Sequence, residues 1–152
     1  RVWMLDRVKI RCGMPELLDT IVTLYGKWTV QRHGSKFPPF AIWVEDTASG
    51  TPAVQMLQAQ LPYFPTILVP VQQGGKRSRA NAISPFLHGG HVLWPKMAEW
   101  YDDTAYELLH FPYTAHDDDV DALYVLLDNL LKVTHPSSYD DPRPRGTLRI
   151  IR

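Results

Sequence analysis

The acidic residues near position 120 are the side chains most able to perform chemistry in this chain. Read as a helix that turns about 100° per residue, the segment 117–132 places Asp117, Asp118 and Asp121 on one flank, beside an apolar stripe, with Asp119 pointing elsewhere. Three carboxylates on one flank repel one another unless a cation neutralises them. The helix dipole stabilises one or two aspartates at a helix start, but not a third beside the core. The spacing therefore favours a cation-binding site.

Glu45 is the second candidate, because it directly follows the continuous apolar run 40–44. Such a run is typical of a strand covered on both faces, and open α/β sheets place their sites at the carboxyl ends of strands. A lone acid there often only ends a strand, but the acids near 120 favour a shared metal site. Hard oxygen ligands suit magnesium or manganese, and two ions about 3.5–4 Å apart can drive phosphodiester hydrolysis. For His116, which adjoins these acids, a supporting or capping role is favoured over direct metal ligation.

Basic side chains form a separate group. Lys76, Arg77 and Arg79 fall within four residues, whereas the whole chain balances 16 Lys and Arg against 16 Asp and Glu. A neutral chain that holds basic and acidic patches apart can bind a polyanion with one patch and a metal with the other. Ordinary solvated charge is the alternative interpretation of the basic group.

Strands alternate with helices in the pattern of residues, which predicts an α/β domain with at least partly parallel strands. The predicted strands are 1–11, 40–44, 66–71 and 91–94. One predicted helix begins at Pro15, and others cover 50–61, 96–109 and 117–132. The segment 76–87 is predicted as a short basic helix or a structured loop, and 34–39 as a loop. After residue 135 the composition turns to Ser, Asp, Pro and Arg, which indicates an extended tail.

Length and composition exclude several classes. A chain of 152 residues fits one domain, and a domain of this size buries about 68–70% of its unfolded surface. No apolar run approaches the roughly 18–20 residues of a membrane span, and no secretory leader is recognisable, so an intracellular, soluble domain is expected. Cys12 is the single cysteine, which excludes an internal disulfide and a cysteine-cluster zinc site. No P-loop and no G-x-S-x-G elbow occur.

Three segments, in order, resemble the nuclease domain of the large terminase subunit of tailed bacteriophages. They are WVEDTASG at 43–50, KRSRANAISPFLHGGHVLWP at 76–95 and ELLHFPYTAHDDDVDAL at 107–123. The resemblance implies an RNase H-like fold, in which a mixed sheet is flanked by helices, over residues 1–135, followed by a C-terminal tail at 136–152. It implies an endonuclease that cuts concatemeric viral DNA during genome packaging, by two-metal hydrolysis with Mg²⁺ or Mn²⁺.

Carried over by position, the resemblance assigns Glu45, Asp117 and Asp118 as catalytic metal ligands, with Asp118 favoured over Asp117 as the main one. Asp121 and His116 are assigned to a second tier of the metal site. For the basic stretch of Lys76, Arg77 and Arg79, we expect contact with DNA phosphates. The implied partners are double-stranded DNA, an upstream ATPase domain, the portal and the small terminase subunit, in the cytoplasm of the infected bacterium and without a membrane.

One departure from the family bears on activity. The family's first metal aspartate lies on a strand before the one that begins here at Val2, and Asp6 lies inside the strand that would be second. The metal site of this chain is therefore expected to be incomplete. Two alternatives stay open: a non-catalytic RNase H-like module that docks DNA or the portal, and another RNase H-like nuclease or resolvase.

Overall fold

The computed structural model describes residues 1–71 and 75–134. The helices are α1 (Met14–Lys27), α2 (Gly50–Gln60), α3 (Lys76–His88), α4 (Tyr101–His110) and α5 (Asp118–Thr134). The strands are β1 (Val2–Trp3), β2 (Val30–Arg32), β3 (Ser35–Phe37), β4 (Ile42–Glu45), β5 (Thr66–Val69) and β6 (Val92–Leu93). The predicted α/β class is confirmed. The predicted tail at 136–152 lies outside the described residues.

The strands pair as three two-stranded sheets within the part of the chain that the structure describes. β4 pairs with β5 in parallel, with Glu45 opposite Val69, and β1 pairs with β6 in parallel. β2 and β3 form an antiparallel hairpin. The two parallel pairs each need a long crossover, and the intervening helices supply it, as expected for alternating strands and helices.

Helix α5 is the element around which the larger core forms. Its residues Leu123, Tyr124 and Leu127 are buried together with Ile83 of α3 and Val92 of β6. Val120 is also buried, so one stripe of α5 faces the core as its apolar spacing predicts. A second, smaller cluster joins α1 to α2. Helix α5 also contacts β4, so the helix that carries the acids lies against the strand that ends at Glu45.

Three regions differ from the sequence-based expectation. Residues 96–100 of the predicted helix 96–109 form turns, and α4 begins only at Tyr101. Only Val2–Trp3 of the predicted strand 1–11 pairs with another strand in the described structure. Leu5, Val8 and Ile10 are exposed, so the alternating apolar residues beyond Trp3 do not form a paired, half-buried strand. The predicted loop at 34–39 instead contributes β3 to the hairpin. His33 and Gly34 both have positive φ at its turn, which matches the twist of a tight hairpin, but His-Gly is a weaker turn signal than Asn-Gly.

No helix in the two described ranges has the length and apolar character of a membrane span.

Candidate functional site

Glu45 ends β4 and is followed at once by a tight turn into α2. The backbone N–H of Asp46 donates to the carbonyl oxygen of Val69 on β5, which extends the parallel ladder one residue past the strand. The N–H of Thr47 donates to the carbonyl oxygen of Glu45, and the N–H of Gly50 donates to Thr47 Oγ1 at 3.2 Å. These bonds fix the backbone of Glu45 at the edge where parallel strands of α/β sheets place their sites.

Gly50 is the position of this turn that tolerates no side chain. A Cβ at Gly50 would lie 2.0 Å from the carbonyl oxygen of Glu45, so the backbone would have to move. We expect Gly50→Ala to lower the free energy of unfolding by about 1–3 kcal/mol, the usual cost of overpacking, as measured by urea unfolding. Exposed Ser49, whose side chain makes no capping bond, provides the control Ser49→Ala. Equal stability of the Gly50→Ala protein and the wild type would contradict this geometry.

Asp117 and Asp121 stand at the start of α5, one helical turn apart. The N–H of Asp121 donates to the carbonyl oxygen of Asp117 at 3.0 Å, so Asp117 occupies the N-cap position and its side chain lies on the same face as that of Asp121. Both side chains are largely buried, with 20% and 27% of their surface exposed. The predicted flank of acids therefore exists for these two residues.

Two cations of helix α3 contact the acids at the start of α5, and one of them, Arg79, also contacts Glu45 at the end of β4. Arg79 Nη1 lies 3.2 Å from Asp121 Oδ1 and 3.5 Å from Glu45 Oε1, and Lys76 Nζ lies 2.5 Å from Asp117 Oδ2. Glu45, Asp117 and Asp121 thus face one basic helix, and we call these three residues the carboxylate cluster. The structure brings Glu45 to the same basic helix as two acids that follow it by 72 and 76 positions in the chain.

The carboxylate cluster perturbs the ionisation of Asp121. Burial raises the pKa of the Asp121 carboxyl above its ordinary value of 3.8; the Arg79 guanidinium opposes this, while the charges of Asp117 and Glu45 add to it. Net, the ionised form of Asp121 is disfavoured in the folded protein. A carboxyl whose pKa is raised by burial and by neighbouring acids is typical of a functional site.

We expect this raised pKa to appear as a pH dependence of stability. The folded protein binds the Asp121 proton more tightly than the unfolded chain does, so the contribution of Asp121 to the free energy of unfolding falls as pH rises through both pKa values. The difference between wild type and Asp121→Asn, measured by urea unfolding from about pH 3 to 7, isolates this contribution. The variant should gain stability relative to the wild type with rising pH; a constant difference would contradict the raised pKa.

Asp118 does not join the carboxylate cluster. Its side chain is 65% exposed and pairs with Lys9 Nζ at 3.1 Å, while Asp119 pairs with Arg7 at 2.9 Å. Lys9 also pairs with Glu107 of α4. The expected grouping of Asp118 with Asp117 and Asp121 is therefore wrong in this respect: Asp118 faces Lys9 in the segment before α1, whereas Asp117 and Asp121 face α3.

His116 and Arg77 lie outside the carboxylate cluster as well. Exposed His116 lines a cleft that also contains Lys9 and Asp118. Exposed Arg77 forms no ion pair with the cluster among the described residues. Of the basic stretch, only Lys76 and Arg79 contact the predicted acids.

Glu107 is a residue of this region that the sequence did not mark as functional. It is buried, its Oε2 accepts from Lys9 Nζ at 2.9 Å, and its Oε1 accepts from the N–H of Asp119 at 2.6 Å. Glu107 thereby satisfies one of the free N–H groups of the first turn of α5, which carries the acids. The sequence did contain a signal for this role: Glu107 is an acid among apolar residues of a predicted helix, at the start of the ELLHFP segment.

The oxygen ligands of the carboxylate cluster suit a hard cation, although Lys76 and Arg79 now pair with them. Within residues 1–71 and 75–134, no group of three His, Cys, Asp or Glu side chains is arranged to hold a metal ion. The buried oxygens Asp117 Oδ2 and Asp121 Oδ1 form ion pairs with Lys76 and Arg79, and Asp121 Oδ1 accepts no hydrogen bond within the described residues. Carboxylate oxygens are the ligands that Mg²⁺ and Mn²⁺ prefer.

Comparison with known proteins gives one result. Residues 2–130 match the family model described as the terminase RNaseH-like domain. Curated proteins give no match, and neither do solved structures.

Proposed function

The chain belongs to the terminase RNaseH-like domain family, and from this membership we propose that it is a metal-dependent endonuclease that cuts viral DNA during genome packaging. The family supports a nuclease-like terminase domain, and the RNase H-like fold expected from the three resembling segments is confirmed. Endonuclease activity, its metal dependence and the DNA substrate are the parts that we propose.

The observation that carries this proposal is the carboxylate cluster. Glu45 at the end of β4 and Asp117 at the start of α5 come from elements far apart in sequence, and α3 brings basic side chains to the same place. Acids that converge at the carboxyl end of a parallel strand are typical of a functional site in α/β proteins.

In this proposal, Glu45 and Asp117 hold Mg²⁺ or Mn²⁺, with Asp121 behind them on the same face of α5. When bound, two such ions supply an activated water and stabilisation of the leaving oxygen. Asp118 and His116 remain proposed contributors from the neighbouring cleft, where Asp118 faces Lys9. The buried side of the carboxylate cluster limits the access of bulk water, which strengthens the electrostatic contacts of its charges.

Binding of DNA is proposed for the basic helix α3. Lys76 and Arg77 are exposed at its first turn, beside the carboxylate cluster, so they can hold the phosphate backbone where it would be cut. Arg79 is proposed to contribute from its deeper position. Contacts of Lys and Arg with phosphate carry no base information, so we expect little sequence preference and a strong dependence on salt.

The family context extends the proposal to partners. We propose double-stranded DNA as substrate and, in the packaging machine, an ATPase domain, the portal and the small terminase subunit as partners, in the cytoplasm of the infected bacterium. None of these partners is needed for the first test.

Nicking of supercoiled plasmid in Mn²⁺, Mg²⁺ or EDTA tests the proposed function. We expect nicking in Mn²⁺ that EDTA abolishes. Salt-dependent DNA binding without nicking in either metal would instead favour the non-catalytic docking module. If the protein neither bound nor nicked DNA, the proposal would be overturned.

A further inference from the structure

Arg79 differs from the other basic residues of α3 in being largely buried. Its side chain is 13% exposed, against 61% for Lys76, although both lie in the first two turns of the same helix. A guanidinium that served only to bind DNA would be expected at the surface, where phosphate can reach it. The burial of Arg79 therefore calls for a role inside the protein.

The contacts of Arg79 define that role. A single nitrogen, Nη1, faces both Asp121 and Glu45, so one cation bridges the start of α5 and the end of β4. Ile83 on the same helix packs in the core with Leu123 of α5, which holds α3 in place against the acids. The guanidinium occupies the position between carboxylates at which a bound cation would be expected.

The bridge is incompletely satisfied. Buried Arg79 Nε donates no hydrogen bond, and Asp121 Oδ1 accepts none, within the described residues. The 3.5 Å separation from Glu45 is an ion-pair contact longer than a good hydrogen bond. A buried charge network with unsatisfied members is weaker than its charges suggest, so its carboxylates can be taken by a better ligand.

We propose that Arg79 is a resident cation of the carboxylate cluster: it positions Glu45 and Asp121 in the metal-free protein and competes with the divalent ion for them. This inference rests on the proposed metal dependence and deepens it. Metal binding then requires Arg79 to give up at least one carboxylate, because both cations need the same oxygens. Arg79 is in this respect a positioning residue, distinct from the exposed cations of α3.

The test is the affinity for Mn²⁺, measured by titration calorimetry without DNA. We expect Arg79→Ala to bind Mn²⁺ about tenfold more tightly than the wild type. This change follows if, in the metal-free wild type, the state in which Arg79 pairs with the carboxylates outnumbers the state in which they are free by about ten to one. Arg79→Lys keeps a cation but loses the planar fork, so its affinity should lie between the two. The control Arg77→Ala removes the same charge from the same helix and should change the affinity less than about threefold, as for an exposed, screened charge.

The outcomes separate this inference from the proposed function. Equal or weaker Mn²⁺ binding by Arg79→Ala would overturn the competition and leave the metal site standing. No Mn²⁺ binding by any of the proteins would overturn both. Thermal unfolding gives a second readout. In EDTA, Arg79→Ala should be less stable than the wild type, and added Mn²⁺ should raise the unfolding temperature of Arg79→Ala more than that of the wild type.

A measurement on the wild type covers the case in which the variants do not fold. In a spectrum of the arginine side-chain N–H groups, addition of diamagnetic Mg²⁺ should shift the Arg79 signal as its carboxylate contacts change. An unchanged Arg79 signal while Mg²⁺ binds would overturn the inference.

Discussion

Glu45→Gln is expected to reduce metal-dependent plasmid nicking at least about 100-fold, equivalent to about 2.7 kcal/mol of activation barrier. The substitution keeps the size of the side chain and an oxygen near Arg79, but it removes the negative charge that would hold a divalent cation at the end of β4. Nicking rates at several Mn²⁺ concentrations measure the effect. An excess of Mn²⁺ that restored the wild-type rate would indicate lost metal affinity rather than a lost catalytic step.

Asp46→Asn is the matched control for Glu45→Gln. It removes the same charge one residue further along, from an exposed side chain that accepts a hydrogen bond from Thr51 and lies outside the carboxylate cluster. The control should retain nicking within about threefold, as expected for a screened surface charge. If both substitutions reduced nicking equally, the position of Glu45 in the site would be contradicted.

The same assay decides between Asp117 and Asp118. The family resemblance favours Asp118 as the main ligand, whereas the structure places Asp117 with Glu45 and Asp121 and leaves Asp118 paired with Lys9. From this geometry we expect the larger loss of nicking for Asp117→Asn. A larger loss for Asp118→Asn would show that Asp118 leaves Lys9 when the site is loaded.

Local pattern sufficed to predict the two places from which the acids come. The apolar run before Glu45 predicted a strand that ends there, as observed, although β4 is half-buried rather than covered on both faces. The i, i+4 spacing of Asp117 and Asp121 predicted that they share one face of α5, as observed. Both predictions depend only on the period of a strand or helix. They required no knowledge of which elements meet.

The contacts across the fold could not be read from local pattern. Asp118 was grouped with its neighbours because helical spacing alone cannot show that Lys9, 109 positions earlier in the chain, lies on the other flank. Arg79 was grouped with Lys76 as a surface cation, since proximity in sequence does not show which of two residues faces the core. The pairing of a charge depends on the packing of α3 and α5.

Glu107 shows how such long-range contacts hold the acidic start of α5. Its buried carboxylate joins three elements: it lies on α4, accepts from the N–H of Asp119 on α5, and accepts from Lys9 before α1. Lys9 in turn contacts Asp118, so one buried acid fixes the backbone from which Asp117 and Asp121 project. Loss of Glu107 would leave an unpaired N–H group and a cation with one partner fewer.

We therefore expect Glu107→Ala to lower the free energy of unfolding by about 1–3 kcal/mol, the usual cost of leaving a buried N–H group unsatisfied, because Lys9 is partly exposed and keeps its contact with Asp118. Glu107→Gln keeps an acceptor for the N–H of Asp119 and loses only the charge, so urea unfolding should show a smaller loss. Exposed Asp102 on the same helix supplies the control Asp102→Ala, with an expected loss of at most about 1 kcal/mol. Equal losses for Glu107→Ala and Asp102→Ala would mean that Glu107 does not anchor α5. The acids at the start of that helix would then have to be held by the packing of its apolar face alone.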